Sequence, residues 1–474
     1  MSAEALSGLD ARFLYSETEH AHMHTLKVAV LDLTATQHPF DPGTFTTVLE
    51  QRVRQLPPLL RRALDVPWGM GHPVWADDPD FSIDRHVTFR PIDPPGDAAE
   101  LAHIVAEVAA TPLPRDRPLW AATVVTGLSG HRAAVIVRIH HSVADGGATV
   151  EMLRRILDDD ALGVPDDGVP SPPLEPLPSR RALMRLAARA RRGKLRTLPH
   201  VAIASTRNTT VTAWRRWRAP VRAAKPFDGP RTSLNSSLTA ERTFAMTTLP
   251  LPEILRLRRT LGGTLNDVYL TICAGALRDY FTARGERVEK ALIASVPIGI
   301  RGDAPGRISG NRVDNMYVRL PVHLEDPMAR FRAVHTDAAA ARLLRDSMDP
   351  ALVAQRGELT PTHLHRLVLR AFADSRLADR LRPPVNLVVS NVAGPRDQLH
   401  LGGAVLEAIF SVGPILEGVG LNLTAWSYAG GLHIAALGCP RTLADPWALV
   451  DRLPESLAEL DAIPTNRTEQ TTDA

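Results

Sequence analysis

Apolar positions along the chain follow two periods, and the switch between them predicts the elements. Val135–Ile139 is a short β-branched run and reads as a buried strand. From Ala148 the apolar residues take helical spacing. Between the two stands His140-His141-Ser142-Val143-Ala144-Asp145-Gly146-Gly147, a polar strand-to-helix turn. Upstream, Leu26–Leu33 reads as a strand. Phe45, Val48, Leu49, Val53 and Leu56 mark a helix stopped by Pro57-Pro58. Leu101, Ile104, Val105 and Val108 mark a second helix. Pro118-Leu119-Trp120 opens a strand that returns through Ser129-Gly130 into the histidine turn.

The same alternation resumes downstream. Leu265 to Phe281 predicts a long amphipathic helix with a polar start. Leu292–Val296, Val313–Leu320 and Val385–Ser390 read as strands, and Asp326–Leu344 as a charged helix. Leu421–Ser427 and Leu432–Leu437 form a hairpin, and Trp447–Leu460 is the last helix. The expected organisation is α/β: an N-terminal domain over 1–165, a Pro-rich linker and basic segment over 166–240, a C-terminal domain over 241–464, and a disordered tail over 465–474.

Composition narrows the class. The chain has 474 residues, 44% hydrophobic and 23% charged, as expected of a folded core. No apolar run approaches the roughly 18 residues of a membrane span. Two isolated cysteines, Cys273 and Cys439, give no disulfide framework and fit a reduced compartment.

The net charge of +3 conceals an uneven distribution. The segment Ser179–Lys225 holds 14 Arg and Lys and no Asp or Glu, so the remainder of the chain is acidic. Leu183, Leu186, Ala187 and Ala190 share one helical side there. Trp214 and Trp217 sit among arginines. That combination predicts a segment lying on an anionic lipid surface rather than a nucleic-acid reader.

The histidine turn is the candidate for chemistry. A neutral imidazole can take a proton near neutral pH, and glycines let a ligand approach the backbone. Asp and Gly alone would be a turn. A metal site would need a third ligand. No HExxH or CxxC completes one, and His22 and His24 are far away in sequence, so no metal is expected. There is no GxSxG elbow for a serine hydrolase, no Walker loop and no full GxGxxG.

HHSVADGG resembles the HHxxxDG motif of the bacterial wax ester synthase/acyl-CoA:diacylglycerol acyltransferase family. Further matches occur in family order: Leu9-Asp10-Ala11 with Phe13, Pro73-Val74-Trp75 with Asp78-Pro79-Asp80-Phe81 and His86, and Pro118-Leu119-Trp120. Beyond residue 240 come Leu265-Asn266-Asp267-Val268, Gly310-Asn311, Ser390-Asn391-Val392-Ala393-Gly394-Pro395, and Gly420-Leu421-Asn422 with Ser427-Tyr428. The resemblance implies a two-domain CoA-dependent acyltransferase fold, similar to chloramphenicol acetyltransferase, with the active site in a tunnel between the domains.

It further implies that His141 is the general base for an acceptor hydroxyl attacking an acyl-CoA thioester, with acyl-CoA as substrate and no cofactor. His140, Asp145, Gly146, Gly147, Asn266 and Asp267 take supporting roles, Asp145 as scaffold. Ser390 and Asn391 are candidate oxyanion or substrate contacts. The expected acceptor is diacylglycerol, giving triacylglycerol. A long-chain alcohol is the alternative, and a weakly active or non-catalytic lipid-binding protein is the alternative of another class. Membrane glycerophosphate acyltransferases share HxxxxD, but their apolar segments and glycine-rich phosphate motif are not seen here. The expected location is the cytoplasm, at a membrane or lipid-droplet surface through Ser179–Lys225. Two departures from the family pattern, Ala393 in place of proline and Gly438-Cys439-Pro440-Arg441 in place of an acidic residue, bear on acceptor preference.

Replacing His141 with Ala is expected to abolish acyl transfer, and His140→Ala to be less severe. Steady-state rates with palmitoyl-CoA check this; full activity in the His141 variant would sink the assignment.

Overall fold

The computed structural model describes residues 3–34, 36, 41–157, 176–218, 221, 223–299, 306–346 and 362–463. The expected disordered tail, and most of the expected Pro-rich linker, lie outside them.

Two six-stranded sheets organise these residues. Their strands are β1 (His24–Asp32), β2 (Val87–Gly96), β3 (Trp120–Leu128), β4 (Arg132–His140), β5 (Thr243–Pro250), β6 (Leu292–Gly299), β7 (Val313–Leu320), β8 (Leu387–Ala393), β9 (His400–Leu401), β10 (Ala404–Val412), β11 (Asn422–Tyr428) and β12 (Gly431–Gly438). The first sheet runs β9-β10-β1-β4-β3-β2 and the second β7-β6-β8-β11-β12-β5. The hairpin expected through Ser129-Gly130 is present as β3–β4, and the Tyr428–Gly431 hairpin as β11–β12.

Residues 400–412 depart from the expected division of the chain. They leave the second half and add two strands to the first sheet, with β10 antiparallel to β1. The assignment of all of 241–464 to one C-terminal unit therefore does not describe the strand pairing. Gly402 and Gly403, both at positive φ (57° and 82°), make the turn between β9 and β10. β10 then packs Ile409 into one core and Phe410 and Val412 into another, as period-two alternation requires.

β2 also escaped the sequence pattern. It carries Pro91, Pro94 and Pro95, which cannot donate to a ladder, and it lies at the sheet edge, where that deficit is tolerated. The last helix is two pieces, Trp447–Val450 and Arg452–Asp461. Pro454 fits the first turn of a helix but not its interior, so the chain restarts at Asp451.

Helix α1 (Gly8–Tyr15) starts at Ser7, whose hydroxyl accepts from the Asp10 amide. Helix α2 (Gly146–Leu157) follows the histidine turn, and α3 (Arg180–Arg218) is the basic segment. Helix α4 (Leu265–Ala283) forms the centre of the second core, with Tyr269, Cys273, Leu277 and Phe281 among its buried residues.

The start of α3 does not present its apolar stripe to solvent. Leu183 and Ala187 are buried against Val74 of a small three-stranded sheet and Val66 of the loop beside it, with Leu186 alongside. The cationic residues Arg185, Arg189 and Arg192 face outward. The side chains of Trp214 and Trp217 lie outside the described residues. Among the described residues no helix is long and apolar enough to cross a membrane.

Leu183→Ala should destabilise the packing of α3 on the small sheet by about 2–3 kcal/mol, by removing buried apolar contacts. Denaturant unfolding checks this, and a change under 0.5 kcal/mol would mean that the stripe is not held by the protein.

Candidate active site

Strands from both sheets and α1 enclose a cavity of about 340 Å³. Its walls include Leu9, Arg12 and Phe13 from α1, Thr25 and Lys27 from β1, and His141 with Gly146 from the turn. Asn311, Ser390, Val392, Ser411, Asn422 and Thr424 also line it. A groove of about 380 Å³ beside Thr248, Glu253 and Asp461 lies away from the histidine turn.

His141 follows the last residue of β4, and its amide donates to the Met23 carbonyl at 2.7 Å. Its ring stacks on Phe13 with centroids 4.1 Å apart and planes within 2°. Nδ1 lies 2.9 Å from Asn311 Oδ1. The Asn311 amide nitrogen is committed elsewhere: it donates to the His141 carbonyl at 2.6 Å and to Asp10 Oδ1 at 2.7 Å. The Asn311 oxygen is therefore the acceptor and His141 Nδ1 carries the proton. Nε2 keeps its lone pair, with no partner among the described residues.

Burial and the nearby Lys27 ammonium push the His141 pKa down to about 4, so the ring is neutral at pH 7. Asp10 is held by the Ser7 hydroxyl at 2.6 Å as well as by Asn311. Burial raises its carboxyl above the ordinary range despite those bonds.

His140 has a different environment. Its Nδ1 meets Ser142 Oγ at 2.6 Å and its Nε2 meets Glu17 Oε1 at 2.9 Å. Both ring nitrogens are occupied and the side chain is buried. Burial alone would raise the Glu17 carboxyl, but the hydrogen bond and charge of His140, with Arg115 on the other side, bring it to about 2. The pair of histidines thus divides by strand geometry, one ring toward the cavity and one onto the Glu17–Arg115 ion pair.

Asp145 points away from the cavity. Its Oδ1 accepts from the Ala148 amide at 2.9 Å, which caps α2, and its Oδ2 accepts from the Arg312 amide at 2.8 Å. Arg307 Nη2 lies 2.8 and 2.7 Å from the two oxygens. Gly310, at φ 76°, pairs with Ala144 in a backbone bridge. Asp145 therefore shapes the turn and fastens residues 307–312 beside it, and those residues deliver Asn311 to His141.

The other expected residues divide. Gly146 lines the cavity, and a Cβ there would lie 3.3 Å from Val392. Gly147 is not among the lining residues. Ser390 lines the cavity, whereas Asn391, its neighbour on β8, does not. Asn266 and Asp267 lie away from it. Asp267 completes a capping box with Thr264, the N-cap of α4, and is bound by His335 at 2.9 Å and Arg342 at 3.2 Å. Asp267 thus supports the helix start, not the cavity.

Neither family departure reaches the cavity. Ala393 ends β8 on an exposed position, and Arg441 pairs with Asp379. His22 and His24 stack at 5.7 Å and bond the carbonyls of Ala110 and Ala109.

Comparison with known proteins matches this arrangement. The wax ester synthase/diacylglycerol acyltransferase catalytic-domain model matches residues 6–269, and the C-terminal-domain model of the same family matches residues 309–461. The chain belongs to this family. A Mycobacterium tuberculosis H37Rv protein provisionally named a diacylglycerol O-acyltransferase is 37% identical over 93% of this chain and 92% of its own. A second protein of that strain with the same provisional name is 33% identical, covering 96% of each chain.

Among solved structures, the wax ester synthase/diacylglycerol acyltransferase from Marinobacter aquaeolei VT8 superposes with a TM-score of 0.67 at 24% identity, over 97% of this chain and 98% of that one. The first condensation domain of the CDA synthetase superposes at 0.59 with 19% identity, over 98% and 97%. The two-sheet fold is thus that of the CoA-dependent acyltransferases and condensation domains, and this wax ester synthase/diacylglycerol acyltransferase family member carries its histidine turn where both sheets meet.

Sequence reading had named Asn311 in a motif but given it no role, and it overlooked Phe13 as a ring partner and Lys27 entirely. Lys27 had a signal: one cation inside an otherwise apolar strand. The pairing of Asn311 with His141 has no local signal, because the two are 170 residues apart in the chain.

Asn311→Ala should lower kcat by roughly 10–100-fold, the usual cost of losing the partner that orients a functional histidine. KM should change little. Rates on the purified variant check this, and kcat within twofold of the parent would show that the tautomer is set elsewhere.

Proposed function

We propose that this acyltransferase moves a long-chain acyl group from acyl-CoA to the hydroxyl of diacylglycerol, releasing triacylglycerol and CoA. The observation that carries the reading is the neutral His141 ring with Nδ1 occupied by Asn311 and Nε2 free at a cavity wall. In this reading Nε2 takes the acceptor proton as the hydroxyl oxygen attacks the thioester carbon. Collapse of the tetrahedral adduct breaks the C–S bond, and the imidazolium returns its proton to the CoA thiolate. A histidine with a pKa near 4 is a strong acid once protonated, which favours that second transfer to a thiolate of ordinary pKa about 8.5. The rigid Phe13 stack and the Asn311 bond hold the ring through both transfers. Ser390 and backbone near Gly146 are the candidate oxyanion donors, since both border the cavity.

Diacylglycerol is preferred because the mycobacterial relatives carry that acceptor in their provisional names. A long-chain alcohol is the second reading, favoured by the double name of the Marinobacter structure. We also propose that α3 contacts anionic lipid through its outward arginines, with its apolar stripe turned to the protein. In this reading charge, rather than insertion, would hold the enzyme at a membrane or lipid-droplet surface.

A competition assay with labelled palmitoyl-CoA and equal diacylglycerol and hexadecanol tests the acceptor: labelled triacylglycerol in excess is expected, and wax ester in excess would assign the second reading. The kcat/KM profile should stay level as pH falls below 6.5 and drop only near 4, where Nε2 of the free enzyme takes a proton; an acid limb at 6.5 would contradict the base assignment. Exchanging Arg185, Arg189 and Arg192 for Glu should weaken binding to phosphatidylserine vesicles, by about 1 kcal/mol per site at low salt. Unchanged binding would reject the surface contact.

A further inference from the structure

Lys27 is a buried cation of the cavity wall that acyl transfer to a neutral acceptor leaves unused. It sits in the middle of β1, is 3% exposed, and belongs to the cavity wall. Its ammonium lies 5.7 Å from the centre of the Trp426 ring. Among the described residues it has no carboxylate or hydrogen-bond partner, and no Asp or Glu lines the cavity. An uncompensated ammonium in a buried site is costly, and such groups are found where a ligand completes them. Desolvation brings its pKa to about 7, so an arriving anion would restore the charge.

The surroundings suit a charged headgroup better than an alkyl chain. Thr25 lies two residues before Lys27 on the same face of β1. Ser411 is the cross-strand partner of Lys27 on β10, and Asn422 and Thr424 enter from β11. All four line the cavity with it. The backbone at Met23 receives the His141 amide, and Lys27 is four strand residues further, a backbone separation of about 13 Å. A single acceptor molecule can therefore reach both.

The geometry points to an acceptor that carries a carboxylate as well as the reacting hydroxyl: a hydroxy fatty acid, with its hydroxyl at His141 and its carboxylate on Lys27. This rests on the acyltransferase reading and adds a second acceptor class beside diacylglycerol. The step is the same transfer: the acceptor hydroxyl gives its proton to Nε2, the C–O ester bond forms, the C–S bond breaks, and CoA leaves as the thiol. The carboxylate is unchanged, so the product is an acyl-oxy fatty acid that keeps its free acid.

The test compares 2-, 8- and 16-hydroxyhexadecanoic acids with their methyl esters as acceptors for palmitoyl-CoA. At least one acid should show a kcat/KM about tenfold or more above that of its ester. Lys27→Met should erase that ratio, and Lys27→Arg should keep part of it. Titration calorimetry of the same acids and of hexadecanoic acid, without acyl-CoA, reads binding separately. If no acceptor is acylated but the acids bind and Lys27→Met abolishes binding, the acyltransferase reading fails while the carboxylate site stands. Equal rates for every acid and ester pair, or a ratio unchanged in Lys27→Met, overturns the proposal. So does tight hexadecanoic acid binding with no hydroxy acid acylated while diacylglycerol is. A loss of kcat shared equally by all acceptors in Lys27→Met would make Lys27 a general electrostatic residue and also overturn it.

Discussion

The site depends on one side-chain amide. Asn311 uses its oxygen on His141 Nδ1 and its nitrogen on the His141 carbonyl and Asp10. An amide has a fixed donor end and a fixed acceptor end, so this pattern admits one tautomer of the ring. The three bonds also join three distant parts of the chain: α1, the turn after β4, and the segment before β7. Because each group is largely buried, an unmade bond would leave a desolvated polar atom, at a cost of about 1–3 kcal/mol. The arrangement is therefore both a tautomer lock and a clasp.

The clasp explains why a histidine turn in the first sheet needs the second half of the chain. Asp145 caps α2 and receives Arg307 and the Arg312 amide, while Gly310 pairs with Ala144. These contacts carry residue 311 to the ring. In return, β9 and β10 cross from the second half into the first sheet and supply Ser411 and Val412 to the cavity wall. Each half thus completes the other, and neither encloses the cavity by itself.

Much of this was legible in the sequence, for physical reasons. Strands such as Val313–Leu320 and helices such as α4 were recovered because their periodicity is local. The split between His140 and His141 followed from strand alternation, and the scaffold role expected of Asp145 agrees with its capping and ion-pair bonds. What failed was non-local. Nothing in residues 404–412 announces that their partner is β1. Nothing near Asp267 announces that its partners are Thr264, His335 and Arg342 rather than substrate. The apolar stripe of α3 reads as available to lipid because Val66 and Val74, which cover it, lie more than 100 residues earlier. Lys27 was readable as an anomaly, but only the cavity gives it a purpose.

The most direct measurement is the protonation of His141 itself. Nitrogen-15 shifts of the selectively labelled ring, followed from pH 8 to 4, report tautomer and charge together. The expected result is a neutral ring protonated on Nδ1 that takes its second proton only near pH 4. A ring protonated on Nε2, or one that becomes charged near the ordinary value of 6.5, would contradict the account.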